Sequence, residues 1–89
     1  MRELLLERQE WKEGGAGLCC RYSILVGERE LNGFFCESYG VKIVNEETGE
    51  QAFVEDVTSS PQRIDELLDL LVRNGVTPTG LKDVVADWL

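Results

Sequence analysis

Asn32-Gly33 restricts this chain more than any other feature of its sequence. The pair separates "YSILVGEREL" (22–31) from "FFCESYGVKIV" (34–44), and a two-residue type I′ hairpin needs positive φ at both central positions, which Asn followed by Gly supplies. Setting Leu31 opposite Phe34 fixes the rest of the pairing: Val26 meets Tyr39, Ile24 meets Val41, and Tyr22 meets Ile43. Side chains alternate across a strand, so Leu18, Cys20, Tyr22, Ile24 and Val26 share one face, while Cys19, Arg21, Ser23, Leu25 and Gly27 share the other. A slip of one residue would send the apolar set to the wrong side.

A second turn is expected at "NEETGEQ", with Glu47-Thr48-Gly49 as a three-residue loop and Gly49 left-handed in a bulge. That register sets Ile43 opposite Phe53 and Val44 opposite Ala52, which adds Phe53 to the apolar face. The first segment, "ELLLERQEW", fits an edge strand joined through the Gly-rich "KEGGAG" turn, although its helical propensity is also good.

From residue 60 the period becomes helical. Ser60-Pro61 supplies a capping hydroxyl followed by the residue favoured at the first helical position, and Ile64, Leu67, Leu68 and Leu71 follow with Val72 at the spacing of one helix face. Asn74-Gly75 marks the end, since Gly takes the left-handed conformation beyond a helix cap. Thr77-Pro78 repeats the start, and Leu81, Val84, Val85, Trp88 and Leu89 repeat the spacing. The expectation is a single α+β domain over 1–89: an antiparallel β-meander of about four strands over 1–59, with a pair of C-terminal α-helices over 60–89 packed on its one apolar face.

Charge and composition narrow the function. With 43% hydrophobic and 29% charged residues, the chain has globular rather than disordered composition. Nine basic residues against seventeen acidic ones give a net charge of -8, which repels phosphate backbones and anionic membranes. The N-terminus offers only three consecutive apolar residues, too few for the apolar region of a secretory signal. Cys19, Cys20 and Cys36 are an odd number, so the expectation is reduced thiols in a cytoplasmic protein without a disulfide framework.

No motif assembles a catalytic constellation. Without histidine, neither a Ser-His nor a Cys-His nucleophile pair can form. Three cysteines and no histidine fall short of a four-ligand zinc site, and Cys19 and Cys20 point to opposite faces of a strand. Gly14, Gly15 and Gly17 lack the preceding strand and following helix of a phosphate-binding loop. "LVRNGVTPTGLKDVV" (71–85) has the outline of a helix-turn-helix, but the solvent-facing set of its second helix, Thr79, Gly80, Lys82, Asp83, Ala86 and Asp87, carries one positive and two negative charges.

"YSILV", "YGVKIV" and "QAFVEDVTSSPQRIDELLDLLVRNGVTPTGLKDVVADWL" resemble, over roughly residues 20–89, a family of small uncharacterised bacterial proteins, a domain of unknown function with a Tyr-Gly strand and a C-terminal helix pair. "GERELNGFFCES" is longer than that pattern implies, and Gly80-Leu81 replaces a bulkier pair. The resemblance implies the fold and no activity.

The expected function is therefore a non-enzymatic protein-interaction or regulatory module that self-associates or binds a protein partner, with no cofactor and no metal. Trp11, Leu25, Phe34, Phe35, Val44 and Val54 are the candidate interaction surface. Leu25, Val44, Ala52 and Val54 are expected together on the sheet face turned away from the helices. The alternative is a nucleic-acid-associated regulator that uses the helix pair.

Overall fold

A computed structural model describes the backbone of residues 2–13 and 16–89 and the side chains of residues 20–30 and 32–89. The chain forms an antiparallel sheet followed by two helices, an α+β arrangement. Strands β1 (Arg2–Glu13), β2 (Ala16–Leu31), β3 (Phe34–Asn45) and β4 (Gln51–Thr58) lie side by side in chain order. Helices α1 (Pro61–Arg73) and α2 (Leu81–Trp88) follow, with a single 3-10 turn at Pro78–Gly80 leading into the second.

The first hairpin has the register that its turn dictates. Leu31 pairs with Phe34, Val26 with Tyr39, Ile24 with Val41 and Tyr22 with Ile43, and both turn residues have positive φ, 52° at Asn32 and 82° at Gly33. Tyr22, Ile24, Val26, Val41 and Ile43 are buried on one face beneath Ile64, Leu67, Leu68 and Leu71 of α1 and Leu81 and Val85 of α2.

The second hairpin is displaced by one residue from expectation. Ile43 pairs with Ala52 and Lys42 with Phe53, so Ala52 and Val54 face the helices, whereas Phe53 lies on the opposite pleat and is 50% exposed. The cause is Asn45, whose side-chain carbonyl accepts the amides of Glu47 (3.0 Å) and Thr48 (3.3 Å). The chain therefore turns one residue earlier, with the Asn45 amide donating to Glu50 O (2.8 Å) and the Gly49 amide to Asn45 O (2.8 Å). Gly49 is left-handed as expected (φ 79°).

Helix α1 starts and stops as its sequence specifies. The Ser60 hydroxyl accepts the Arg63 amide (3.2 Å) and Pro61 opens the helix. At the other end Gly75 has φ 59°, its amide donates to Val72 O (3.1 Å), and the Val76 amide donates to Leu71 O (3.0 Å), which closes a Schellman motif. The start of α2 departs from expectation: Thr77 makes no side-chain cap, and Pro78 opens the 3-10 turn instead. Leu89, expected on the apolar stripe, lies beyond the last helical turn and is 72% exposed.

A partly buried hydrogen bond ties the helix connection to the sheet. The Tyr22 hydroxyl, rising from the apolar face, donates to Val76 O at 2.9 Å. The carbonyl of a helix-to-helix turn thereby gains a partner in the core, where an unpaired one is costly.

Candidate functional site

Among the described residues three surface features stand out from the core, and each arises from where a strand ends. Pairing between β1 and β2 stops at Arg2–Val26, and pairing between β3 and β4 stops at Tyr39–Thr58. The ribbon of residues 27–38 therefore extends past its neighbours as a two-stranded arm, about 20 Å long at the usual rise per residue. Near its tip Phe34 is 74% and Phe35 72% exposed. Consecutive strand residues point to opposite sides, so the arm presents one aromatic ring on each face. Glu28 and Glu37 oppose each other along it, and Glu30 opposes Phe35.

The second feature is an open groove of about 440 Å³ between β4 and α2, lined by Phe53, Val54, Glu55, Lys82, Val85, Ala86 and Leu89. β4 is an edge strand, with β3 as its neighbour on one side only. Its outer row of backbone amides and carbonyls over Gln51–Val54 faces the open side, and Lys82 is the one cation among the lining residues.

The third is a smaller cavity of about 240 Å³ on the face away from the helices, lined by Leu25, Gly27, Glu28, Ser38, Gly40, Glu55 and Asp56. It is made by a bulge. Val41 pairs with Val54 but Tyr39 with Thr58, so Glu55, Asp56 and Val57 are accommodated opposite Gly40 alone, and Asp56 takes φ 59°. The displaced strand crosses so closely that a Cβ on Gly40 would sit 2.2 Å from Val54 O and 2.9 Å from Glu55 Cα. Asp56 is held by a hydrogen bond donated by the Ser38 hydroxyl and by Arg29, whose Nε lies 3.8 Å from Asp56 Oδ2. The Ser38–Asp56 pair lacks an imidazole, and a carboxylate alone is a poor base toward a serine hydroxyl. The bonds instead pin the bulge, a common device for blunting a sheet edge.

The expected surface residues do not form one patch. Trp11 lies outside the residues whose side chains are described. Phe34 and Phe35 are exposed on the arm, and Val44 is half-buried on the face away from the helices. Leu25 also points to that face, but it is 6% exposed and walls the bulge cavity opposite Gly40. Val54, together with Ala52, faces the helices because of the Asn45 register and so lines the groove. Phe53, Lys82, Ala86 and Leu89 were missed as groove residues: the signal was an apolar edge strand followed by an amphipathic helix, but their adjacency needs the packed fold.

Cys20 is buried and Cys36 exposed, while the Cys19 side chain lies outside the described set. Among the described residues no group of His, Cys, Asp and Glu is arranged to hold a metal ion, and no helix is long and apolar enough to cross a membrane. Arg63 stacks on Trp88, 4.4 Å from the ring centroid, which ties the start of α1 to the end of α2.

The whole of residues 1–89 matches a family of unknown function (DUF6514), and the chain belongs to that family. The match is wider than the resemblance over 20–89. No curated protein and no solved structure matches the chain.

Proposed function

From membership of a family without an assigned activity, we propose that this chain is a non-enzymatic protein-interaction or regulatory module of the cytoplasm, built as a β-meander of about four strands with its helix pair on one face. The observation that carries the reading is the exposure of large apolar side chains in two places on a small chain: Phe34 and Phe35 on the arm, and Phe53 and Leu89 beside the groove. Aromatic residues left in water at projecting positions are characteristic of contact surfaces. The odd number of cysteines, Cys19, Cys20 and Cys36, favours reduced thiols and so a reducing compartment. Reading the chain as a nucleic-acid-associated regulator gains less support. The apolar side of α2 is occupied by the sheet, and its exposed side carries Asp83 and Asp87 against Lys82.

A photo-crosslinking residue placed at position 35 or 86 in cells tests the proposal. Crosslinks to protein at both positions, and none from a control position such as Glu66 on α1, are the expected result. A chain that crosslinks to no protein at either position sinks the reading.

A further inference from the structure

The arm and the groove have complementary chemistry, and we infer that they are the two halves of one interface: the arm of one copy lies along β4 of a second copy, and the exchange is reciprocal. This rests on the interaction reading above and names its partner as the chain itself. Phe34–Ser38 of β3 has no described strand on its outer edge, because β4 ends its pairing at Tyr39. Gln51–Val54 of β4 likewise presents an open edge, up to the bulge at Asp56. An extended segment added to such an edge satisfies its main-chain groups and places successive side chains on alternate faces. Phe34 and Phe35 then go to opposite faces. One ring enters the groove beside Val54, Ala86 and Leu89, and the other covers Phe53 on the opposite pleat.

Area and charge both select this arrangement. At about 200 Å² for a phenylalanine, exposures of 74% and 72% offer on the order of 300 Å² on each arm. Two arms in two grooves, with Phe53 and Leu89 covered, bury about 1,000 Å², near the threshold for a specific interface, whereas a single exchange buries about half. Arm against arm would bring Glu28, Glu30 and Glu37 of both copies together. Arm against groove sets Glu30, which opposes Phe35, near a lining that holds Lys82 beside Glu55, so it meets one cation and fewer like charges than in an arm-against-arm pairing. A two-fold exchange closes the assembly, where a one-way contact would propagate into filaments.

Sedimentation equilibrium of the full chain from micromolar to millimolar concentration tests the inference, with circular dichroism to verify that each variant is folded. A dimer is expected. Phe35→Ser in the arm and Ala86→Glu in the groove should each weaken it about tenfold or more. Mixing the two variants should give a heterodimer tighter than either variant's homodimer but weaker than the wild type, since the unaltered arm of one meets the unaltered groove of the other at one of the two contacts only. Lys82→Glu should also weaken the dimer, and adding Glu30→Lys should recover it. A monomer at millimolar concentration, a dimer indifferent to both Phe35→Ser and Ala86→Glu, or open-ended growth overturns the inference. A monomeric chain that still crosslinks through position 35 to a different protein overturns the second copy as partner and leaves the interaction reading standing. A monomer that crosslinks to nothing removes both.

Discussion

Val26 and Glu28 are successive residues on the same face of β2, pair with β3 in the same ladder, and meet opposite fates. Val26 is 4% exposed beneath the helices, whereas Glu28 stands in water opposite Glu37, a like-charged pair that weakens a ladder. The centre of the sheet and the arm share backbone geometry, alternation and turn chemistry. Among the described residues only the centre lies under helices: α1 covers β2 and β3, and α2 covers β4, whereas the base of the arm meets the bulge at Asp56 alone. Hydrogen-bonded pairing extends a ribbon beyond its core, but burial decides which part of it resists unfolding. Beyond Ser38 and Arg29 at its base, the arm is thus a segment with regular structure that no described layer covers.

The sharpest break in that comparison lies at the boundary between the two regions. Gly40→Val places its first side-chain carbon against the Val54 carbonyl and the Glu55 Cα, which are backbone atoms unable to rotate away. β4 must then leave β3. Urea unfolding should report a loss of about 3 kcal/mol or more, with the groove between β4 and α2 lost as well. A stable variant with an intact groove would show that the close crossing is not required.

Next in size is Leu71→Ala beneath the sheet, where α1 presents a fully buried side chain to the core. The expected cost is about 3 kcal/mol, from lost burial and the cavity left behind, read from the same denaturation curves. A loss below about 1 kcal/mol would mean that α1 is not what distinguishes the centre from the arm.

Tyr22→Phe keeps the ring and removes only the bond to Val76 O, at an expected cost of about 1 kcal/mol near neutral pH. Its pH signature is more specific. Burial, and after it the neighbouring Cys20, raise the phenol from 10.0 to about 12. The unfolded chain gives up this proton first, so the contribution is whole below about pH 10 and is lost as the pH rises through about 12. The wild-type chain should therefore lose stability across that window more steeply than Tyr22→Phe, by on the order of 2 kcal/mol. Parallel slopes for the two proteins would remove Tyr22 as the alkaline-sensitive tie between sheet and helix connection.

How much of this could be read from the residues depends on whether the determining interaction is local. Asn32-Gly33 fixes its own turn, and the pairs from Leu31–Phe34 to Tyr22–Ile43 follow without further information. Ser60, Pro61, Asn74 and Gly75 likewise bound α1 through contacts within one turn. The second hairpin slipped because two local devices competed: Gly49 suits a three-residue loop, and Asn45 captures two amides to make a longer one. One extra loop residue moved Phe53 away from the core and put Val54 into the groove. Asp56 at φ 59° carries no glycine to announce it, and the need for Gly40 arises only from the later strand β4 crossing over it at Val54 and Glu55. The groove was illegible for the same reason, since it exists only when the edge of β4 and the exposed flank of α2 are placed side by side.

Phe35→Ser carries the smallest expected effect on folding and is the most informative about the arm. Removing a large aromatic from a core costs several kcal/mol, but Phe35 is 72% exposed on a ribbon with no layer above it. The arm retains its Asn32-Gly33 turn and its ladder, so stability measured by urea at micromolar concentration should change by less than about 0.5 kcal/mol. A larger loss would mean that the ring is buried in the dilute protein, either by self-association at that concentration or by residues packed against it. Repeating the measurement over a range of protein concentrations separates those causes. A cost that grows with concentration belongs to an interface and a constant one to the fold, so the size of this effect decides whether the arm belongs with the centre of the sheet or with its contact surface.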